Sequence, residues 1–408
     1  MNIDKLPILK LNNTVASSVY NNHPWIFSGK IKKESKKFKN GDFVRLKDSN
    51  LKTLGFGIFS SGGLIGIRVI HFGLDLKKSY FNEYVKLAVS KRLPLLKETN
   101  SIRWIHGEND FIPGVTVDGH GDTLTIMYYS DSLKMYARYI GYLVYKNIIK
   151  LGLPNLTYNN ILLKLPTRIG RNNGETKVKI RVLRGSLPTE VKIQYKSISF
   201  ELDPTGQKGG IYNDIRNLRR FIFDNNHLIK STEVLNLFSS NGLLSICLEK
   251  AGASLIYSMD SSELAIATHR KNISPDNNKH IIFKEDIFKN IEKALKSISK
   301  KFDIIIIDPP SLTSSEKDKS NARQAYKFLI KKCIPYLVDR GILIMASCSN
   351  RIHENDFERI CKEALEESDL KYKYPAIRLK PEIDHPVIPT FPEGAYFKVH
   401  IYDLSRIQ

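Results

Sequence analysis

The run Phe302-Asp303-Ile304-Ile305-Ile306-Ile307-Asp308-Pro309-Pro310-Ser311 constrains this chain more than any other segment. Its apolar, β-branched stretch reads as a buried central strand of a parallel sheet. It ends on an aspartate followed by two prolines. Proline lacks an N–H donor and fixes φ, so the strand stops there and a stiff loop follows. In open α/β sheets, ligands bind beyond the carboxyl ends of the strands. A carboxylate beside a stiff, flat loop at that edge suits an enzyme that clamps a planar base and acts on it.

Further pieces of a nucleotide-cofactor site follow a consistent order. Glu233 to Phe238 is an apolar strand, Ser239-Ser240-Asn241-Gly242 a turn, and Leu243 to Lys250 has helical periodicity. Strand, tight turn and helix place backbone N–H groups at the carboxyl edge of the sheet. Gly242 is the only glycine in that turn, which argues against a pyrophosphate-gripping loop and for a smaller, less anionic cofactor. Ser254 to Asp260 is a second strand with an acidic end, where Asp260 can accept hydrogen bonds from ribose hydroxyls. Ser261 to Asn272 reads as a helix. Ile281 to Asp286 is a third strand with an acidic end, where Asp286 can meet an adenine.

Gly341 to Ser349 is another strand, after a helix predicted over Arg323 to Leu337. Its end, Ser347-Cys348-Ser349, puts a thiol at the same edge as Asp308. Of the four cysteines, Cys247, Cys333 and Cys361 lie in helical patterns and read as small core residues. Cys348 alone sits at a strand end. A thiolate there suits methylation of carbon 5 of a pyrimidine, a carbon too weakly nucleophilic to take a methyl group unaided. Addition of the thiolate to carbon 6 activates it. The bland alternative is a buried thiol at a strand terminus.

Several segments resemble the bacterial 23S ribosomal RNA cytosine-5 methyltransferases that carry an N-terminal PUA domain. They are His23 to Phe27, Phe111 to Asp118, Asp203 to Gly210, Asn213 to Arg219, Asp308 to Ser311, Ser347 to Ser349 and Phe391 to Lys398. The resemblance spans essentially the whole chain. Two segments depart from the family pattern. Gly209-Gly210-Ile211-Tyr212 stands where threonine, glycine and two aromatics are usual, and Ser239 to Gly242 replaces an aromatic, threonine and paired glycines.

The resemblance implies an α/β fold: a Rossmann-like class I methyltransferase domain over 190–408, preceded by a PUA-like β-barrel over 1–72 and a small α+β central domain over 74–187. It implies S-adenosylmethionine as cofactor, held by Lys208, Tyr212, Arg216, Phe238, Asn241, Gly242, Asp260, Asp286 and Asp308. Cys348 and Asp308 are the implied catalytic pair. Cytosine would enter against Pro309, Pro310 and Ser311, with Asp308 on the ring edge. The base that removes the carbon-5 proton is not identifiable from the sequence. A homodimer is also implied.

The N-terminal region supports an RNA role. Short alternating strands at Phe43 to Leu46, Gly55 to Phe59 and Ile65 to Ile70 fit a small barrel. Among its loops, Lys30, Lys32 and Lys33 open a basic run that can meet phosphates. His23-Pro24-Trp25 either stacks on a base or packs the barrel. Asn109, Asp110 and Asp118 read as turn and cap residues rather than site residues. The formal charge is +21, which favours a polyanionic partner, although Lys, Asn and Ile are abundant throughout the chain.

Four scattered cysteines give neither a disulfide framework nor a metal site. Residues 1–30 have no apolar signal core, and no run is long enough to span a bilayer. A cytoplasmic protein is therefore expected. Two alternatives stand beside the cytosine-5 reading. One is methylation of a guanine or adenine nitrogen, which needs no cysteine. The other is a noncatalytic RNA-binding ribosome-assembly protein.

Overall fold

The computed structural model describes residues 3–31, 35–153, 156–165, 179–205, 210–313, 318–368, 370–372 and 376–406. The chain divides into two compact units. The first comprises Met1–Gly209 with Ile383–Gly394, and the second Gly210–Glu382 with Ala395–Gln408.

The first unit holds two five-stranded sheets and a hairpin. One sheet has the order β1-β3-β4-β5-β2, from β1 (Ile8–Lys10), β2 (Trp25–Phe27), β3 (Phe43–Lys47), β4 (Thr53–Phe59) and β5 (Ile65–Phe72). Helix α1 (Asn13–Tyr20) starts where the Asn12 side chain accepts from the Val15 N–H, a cap that short polar residues favour. Alternation in β3 sends Val44 and Leu46 into the core while its other residues stay half-exposed.

The second sheet has the order β10-β9-β8-β7-β6. Its strands are β6 (Ser101–His106), β7 (Val115–His120), β8 (Thr123–Tyr128), β9 (Asn160–Leu165) and β10 (Lys179–Arg184). Helices α2 (Lys78–Arg92) and α3 (Lys134–Lys150) bury Val85, Ile140 and Val144 in one core with Trp104, Val117 and Ile126. The hairpin β11 (Val191–Tyr195) and β12 (Ile198–Leu202) forms as its alternation predicts.

The second unit is one sheet of order β15-β14-β13-β16-β17-β20-β18. Its strands are β13 (Glu233–Leu237), β14 (Leu255–Asp260), β15 (His280–Lys284), β16 (Phe302–Ile307), β17 (Leu337–Ser347), β18 (Leu370–Tyr372), β19 (Ile377–Arg378) and β20 (Lys398–Arg406). The five from β13 to β17 are parallel, whereas β20 is antiparallel to β17, β18 and β19. The helices are α4 (Arg216–Asp224), α5 (Asn226–Ile229), α6 (Leu243–Lys250), α7 (Glu263–Lys271), α8 (Ile287–Ile298), α9 (Lys319–Cys333) and α10 (Glu354–Glu366).

Strand β16 shows why its sequence has no polar alternation. Ile305 and Ile307 pack with residues of α8, α9 and α10, while Ile304 and Ile306 pack with residues of α4 and α6. Both faces are covered, so both sets of side chains are apolar. No helix among the described residues is long and apolar enough to cross a membrane.

Candidate functional site

In the second unit, pairing aligns the carboxyl ends of the parallel strands. Leu237 pairs with both Met259 and Ile307, and Ile307 pairs with Met345. The residues just beyond those ends therefore share one edge of the sheet. Phe238, Asp260, Asp308 and Cys348 are among them.

The turn after β13 is strained. Phe238 and Ser240 have φ of 59° and 50°, in the left-handed region that non-glycine residues avoid. The turn is held by hydrogen bonds from Ser239 N–H to the Met259 carbonyl (2.9 Å) and from Ser240 N–H to the Asp260 carboxylate (2.8 Å). Asn241 accepts from the Leu243 N–H and donates to the Gly210 carbonyl. Gly242 has a φ of 80°, and a Cβ there would lie 2.1 Å from the His269 ring. That single glycine is thus fixed by packing as well as by backbone conformation.

Asp260 braces the turn through one carboxylate oxygen and accepts from the Ser262 N–H through the other (2.8 Å). Each oxygen keeps acceptor capacity for a ligand hydroxyl. Asp286 lies past the end of β15 and caps α8, accepting from the Lys289 N–H. Its ion pair with Lys289 (3.0 Å) holds the carboxyl below its usual range. Its neighbour Glu285 donates its N–H to the Asp260 carbonyl, tying the two acidic strand ends together.

Asp308 is half-buried, Pro309 buried, and Pro310 and Ser311 exposed. The Cys348 thiol donates to the Pro309 carbonyl at 3.7 Å, and Ser311 Oγ lies 3.4 Å from Ser349 Oγ. The Asp-Pro-Pro-Ser loop and the Ser-Cys-Ser end thus meet as expected. Cys348 is half-buried, whereas Cys247, Cys333 and Cys361 are buried. Burial pushes the Cys361 thiol up to about 12 and the Cys333 thiol higher still.

Tyr212 is half-buried against the core that contains α4, and Arg216 opens α4 fully buried. Lys208, Lys32 and Lys33 fall outside the described residues. Lys30 is exposed in the first unit.

The other candidates lie in the first unit. Trp25 donates its indole N–H to Glu108 at 2.7 Å and packs edge-on against Phe391, and His23 meets Glu393 at 3.3 Å, while both rings stay half-exposed. Asp110 lies in the 3-10 turn Gly107–Asp110, where it accepts from the His106 N–H, and Asp118 lies in β7. They close buried ion pairs with Arg92 and Arg103.

Sequence reasoning missed Lys398 and Tyr326. Lys398 opens β20 directly opposite Ser347, and its ammonium donates to the Ser349 carbonyl (2.8 Å). Burial pushes it down to about 8, against the opposing pull of Glu354 and Cys348. Tyr326, fully buried on α9, donates to Ser347 Oγ at 2.9 Å. A lysine inside the alternating run Phe397-Lys398-Val399 was the available signal for the first. Tyr326 gave none.

The donor set suits a cofactor with hydroxyl and amino groups. Two buried hydroxyls, Ser239 Oγ in the turn after β13 and Thr313 Oγ1 after the Asp-Pro-Pro-Ser loop, have no hydrogen-bond partner among the described residues, and a buried polar group is normally satisfied. Among the described residues no cluster of three His, Cys, Asp or Glu side chains could hold a metal ion.

The chain matches the family model of the PUA-like domain over residues 9–72 and that of the methyltransferase small domain over residues 221–370. It is 26% identical over 393 residues to ribosomal RNA large subunit methyltransferase I of Escherichia coli, covering 93% of this chain and 95% of that one. Its identity to the protein of the same name from Alteromonas mediterranea is 28% over 389 residues, covering 93% and 94%. Among solved structures, a candidate SAM-dependent methyltransferase from Streptococcus mutans aligns with a TM-score of 0.77 at 20% identity, over 97% of this chain and 100% of that one. A candidate methyltransferase complexed with SAH aligns equally well, with a TM-score of 0.77 at 21% identity.

Proposed function

Since this chain is a class I S-adenosylmethionine-dependent methyltransferase with an N-terminal PUA-like domain, we propose that it methylates carbon 5 of a cytosine in large-subunit ribosomal RNA, with Cys348 as the covalent nucleophile. The observation that carries this reading is the placement of the one half-buried cysteine at the end of β17, bonded to the Asp-Pro-Pro loop. A nitrogen methyltransferase needs no thiol there.

The residues suited to hold the cofactor are Phe238 as a ring wall, Asp260 for the ribose and Asp286 for the adenine, with Asn241 and Gly242 shaping the turn between them. Lys208, Tyr212 and Arg216 complete the proposed set. When bound, S-adenosylmethionine supplies an electrophilic methyl carbon.

The protein's part is then to activate the base. A flipped cytosine lies against Pro309, Pro310 and Ser311. Asp308 hydrogen-bonds the ring edge as the Cys348 thiolate adds to carbon 6. The ring electrons move to carbon 5, which becomes the nucleophile. Once carbon 5 is substituted, a base takes up its proton, the C5–H electrons restore the ring double bond, and the bond from carbon 6 to sulfur breaks to release the thiolate. Lys30, Lys32 and Lys33 would contact phosphates.

The functional modules in this reading are 1–72, 74–187 and 190–408, and the protein is a cytoplasmic homodimer. Light scattering tests the last point, with twice the chain mass expected. RNA carrying 5-fluorocytidine tests the chemistry, since fluorine at carbon 5 cannot leave as a proton does. A denaturation-resistant protein–RNA adduct that needs both the cofactor and Cys348 is expected. An active enzyme that forms no adduct would move the assignment to a base nitrogen.

A further inference from the structure

Lys398 is 3% exposed, between half-buried Phe397 and buried Val399. Its ammonium donates to three carbonyl oxygens, those of Ser349 (2.8 Å), Tyr396 (3.0 Å) and Ala395 (3.5 Å). Those bonds use all three of its donors. They solvate the charge without neutralising it, and among the described residues Lys398 makes no ion pair. A buried, solvated but unneutralised cation projects its field onto whatever ionisable group lies nearby. Two groups feel it, the Glu354 carboxylate on α10 and the Cys348 thiol.

The surroundings of Cys348 explain why a cation is needed. Asp308 follows β16, and Glu354 lies on α10 with its carboxylate on His400 of β20. Both carboxylates disfavour a second negative charge. Tyr326 on α9 is pushed up by burial and stays neutral, and Arg378 acts on Glu354. Lys398, whose ammonium is anchored on the carbonyl of the residue next to Cys348, is a buried cation placed to offset these acids at the sulfur.

We propose that Lys398 is a positioning residue that keeps Cys348 in its thiolate form and pins the Ser347-Cys348-Ser349 end against the Ala395–Lys398 segment. The thiol proton passes to solvent before substrate arrives, and no other bond changes. This rests on the reading of Cys348 as nucleophile.

The test is the pH profile of Cys348 alkylation by iodoacetamide on the full-length protein, read by mass spectrometry of the Cys348 peptide, with Cys348→Ala as the blank. Lys398→Met should move the apparent thiol pKa upward by about one pH unit or more, and Lys398→Arg should restore it. Glu354→Gln should move it the other way, because less of the lysine's field is then cancelled. This second variant keeps the inference testable if Lys398→Met does not fold. Profiles for Glu354→Gln and any folded Lys398→Met that coincide with the parent would overturn it. The assay needs neither RNA nor cofactor. A Cys348→Ala enzyme that still methylates would instead sink the nucleophile reading and leave the alkylation result standing.

Discussion

In the first unit, Arg92 meets Asp110 at 2.6 and 3.1 Å, and Arg103 meets Asp118 at 2.7 and 3.0 Å. The backbone joins in: Arg92 Nε donates to the Arg103 carbonyl, His106 N–H to Asp110, and Arg103 N–H to Asp384. In the second unit, among the described residues, Lys398 has only carbonyl partners, Ser239 and Thr313 keep unpartnered hydroxyls, and Cys348 at the strand-end edge is half-buried. Both regions bury polar groups, and both hold acidic residues that sequence alone offers as site candidates. The difference lies in charge pairing rather than in hydrogen bonding, since Thr116 and Thr125 of the first unit also bury hydroxyls with no partner among the described residues. Paired charges hold an architecture together, whereas an edge with a buried cation held only by carbonyls and a half-buried thiol is available for chemistry.

The comparison is broken most decisively at Cys348. Cys348→Ala should lower the rate of methyl transfer by roughly a thousandfold or more while leaving the unfolding midpoint near the parent's. A loss below tenfold would place the thiol in the packing. Next in size is Arg92→Met, which leaves Asp110 buried without its cation and should cost about 3–5 kcal/mol of stability in denaturant unfolding. A neutral result would show that the closed network does not hold the first unit.

Gly242→Ala should cost about 1–3 kcal/mol, from the left-handed backbone it must adopt and from the His269 ring it meets. Calorimetry should also show weaker cofactor binding, and unchanged binding would separate the turn from the cofactor. The smallest effect concerns His269, fully buried, with both ring nitrogens unpartnered among the described residues and its pKa pushed down to about 3 by burial. Below pH 6.5 the unfolded chain takes up a proton that the folded state refuses. Stability therefore falls as pH drops from 6.5 toward 3, by at most about 1.4 kcal/mol per pH unit from this residue. Unfolding midpoints at pH 7 and pH 5 measure it, and His269→Leu should flatten the dependence.

How far such contrasts are legible in a sequence depends on what kind of signal each residue leaves. Strands β13, β14 and β16 carry buried residues on both faces, so their apolar runs announce them, and acidic or proline residues mark their ends, while the edge strand β15 is only half-buried. The turn with Gly242, the Asp260 and Asp308 strand ends and the position of Cys348 were all readable for that reason. Strands β1 and β2, of three residues each, are too short to show a period.

In strand β20, Lys398 and His400 fall on the polar positions of an alternating run, and their burial is not something that pattern shows. Residues 383–394 belong to the first unit although the chain on both sides belongs to the second, a long-range return that no local pattern encodes. Arg92–Asp110 and Arg103–Asp118 were likewise hidden. Each aspartate sits at a turn or strand position that equally suits a cap, and its partner is 18 or 15 residues away.

The most direct test is to incubate ribosomal RNA with the protein and S-adenosylmethionine, digest it to nucleosides and identify the product by mass spectrometry, beside Cys348→Ala. New 5-methylcytidine that disappears in the variant is expected. A methylated purine, or 5-methylcytidine formed equally well without Cys348, would contradict it.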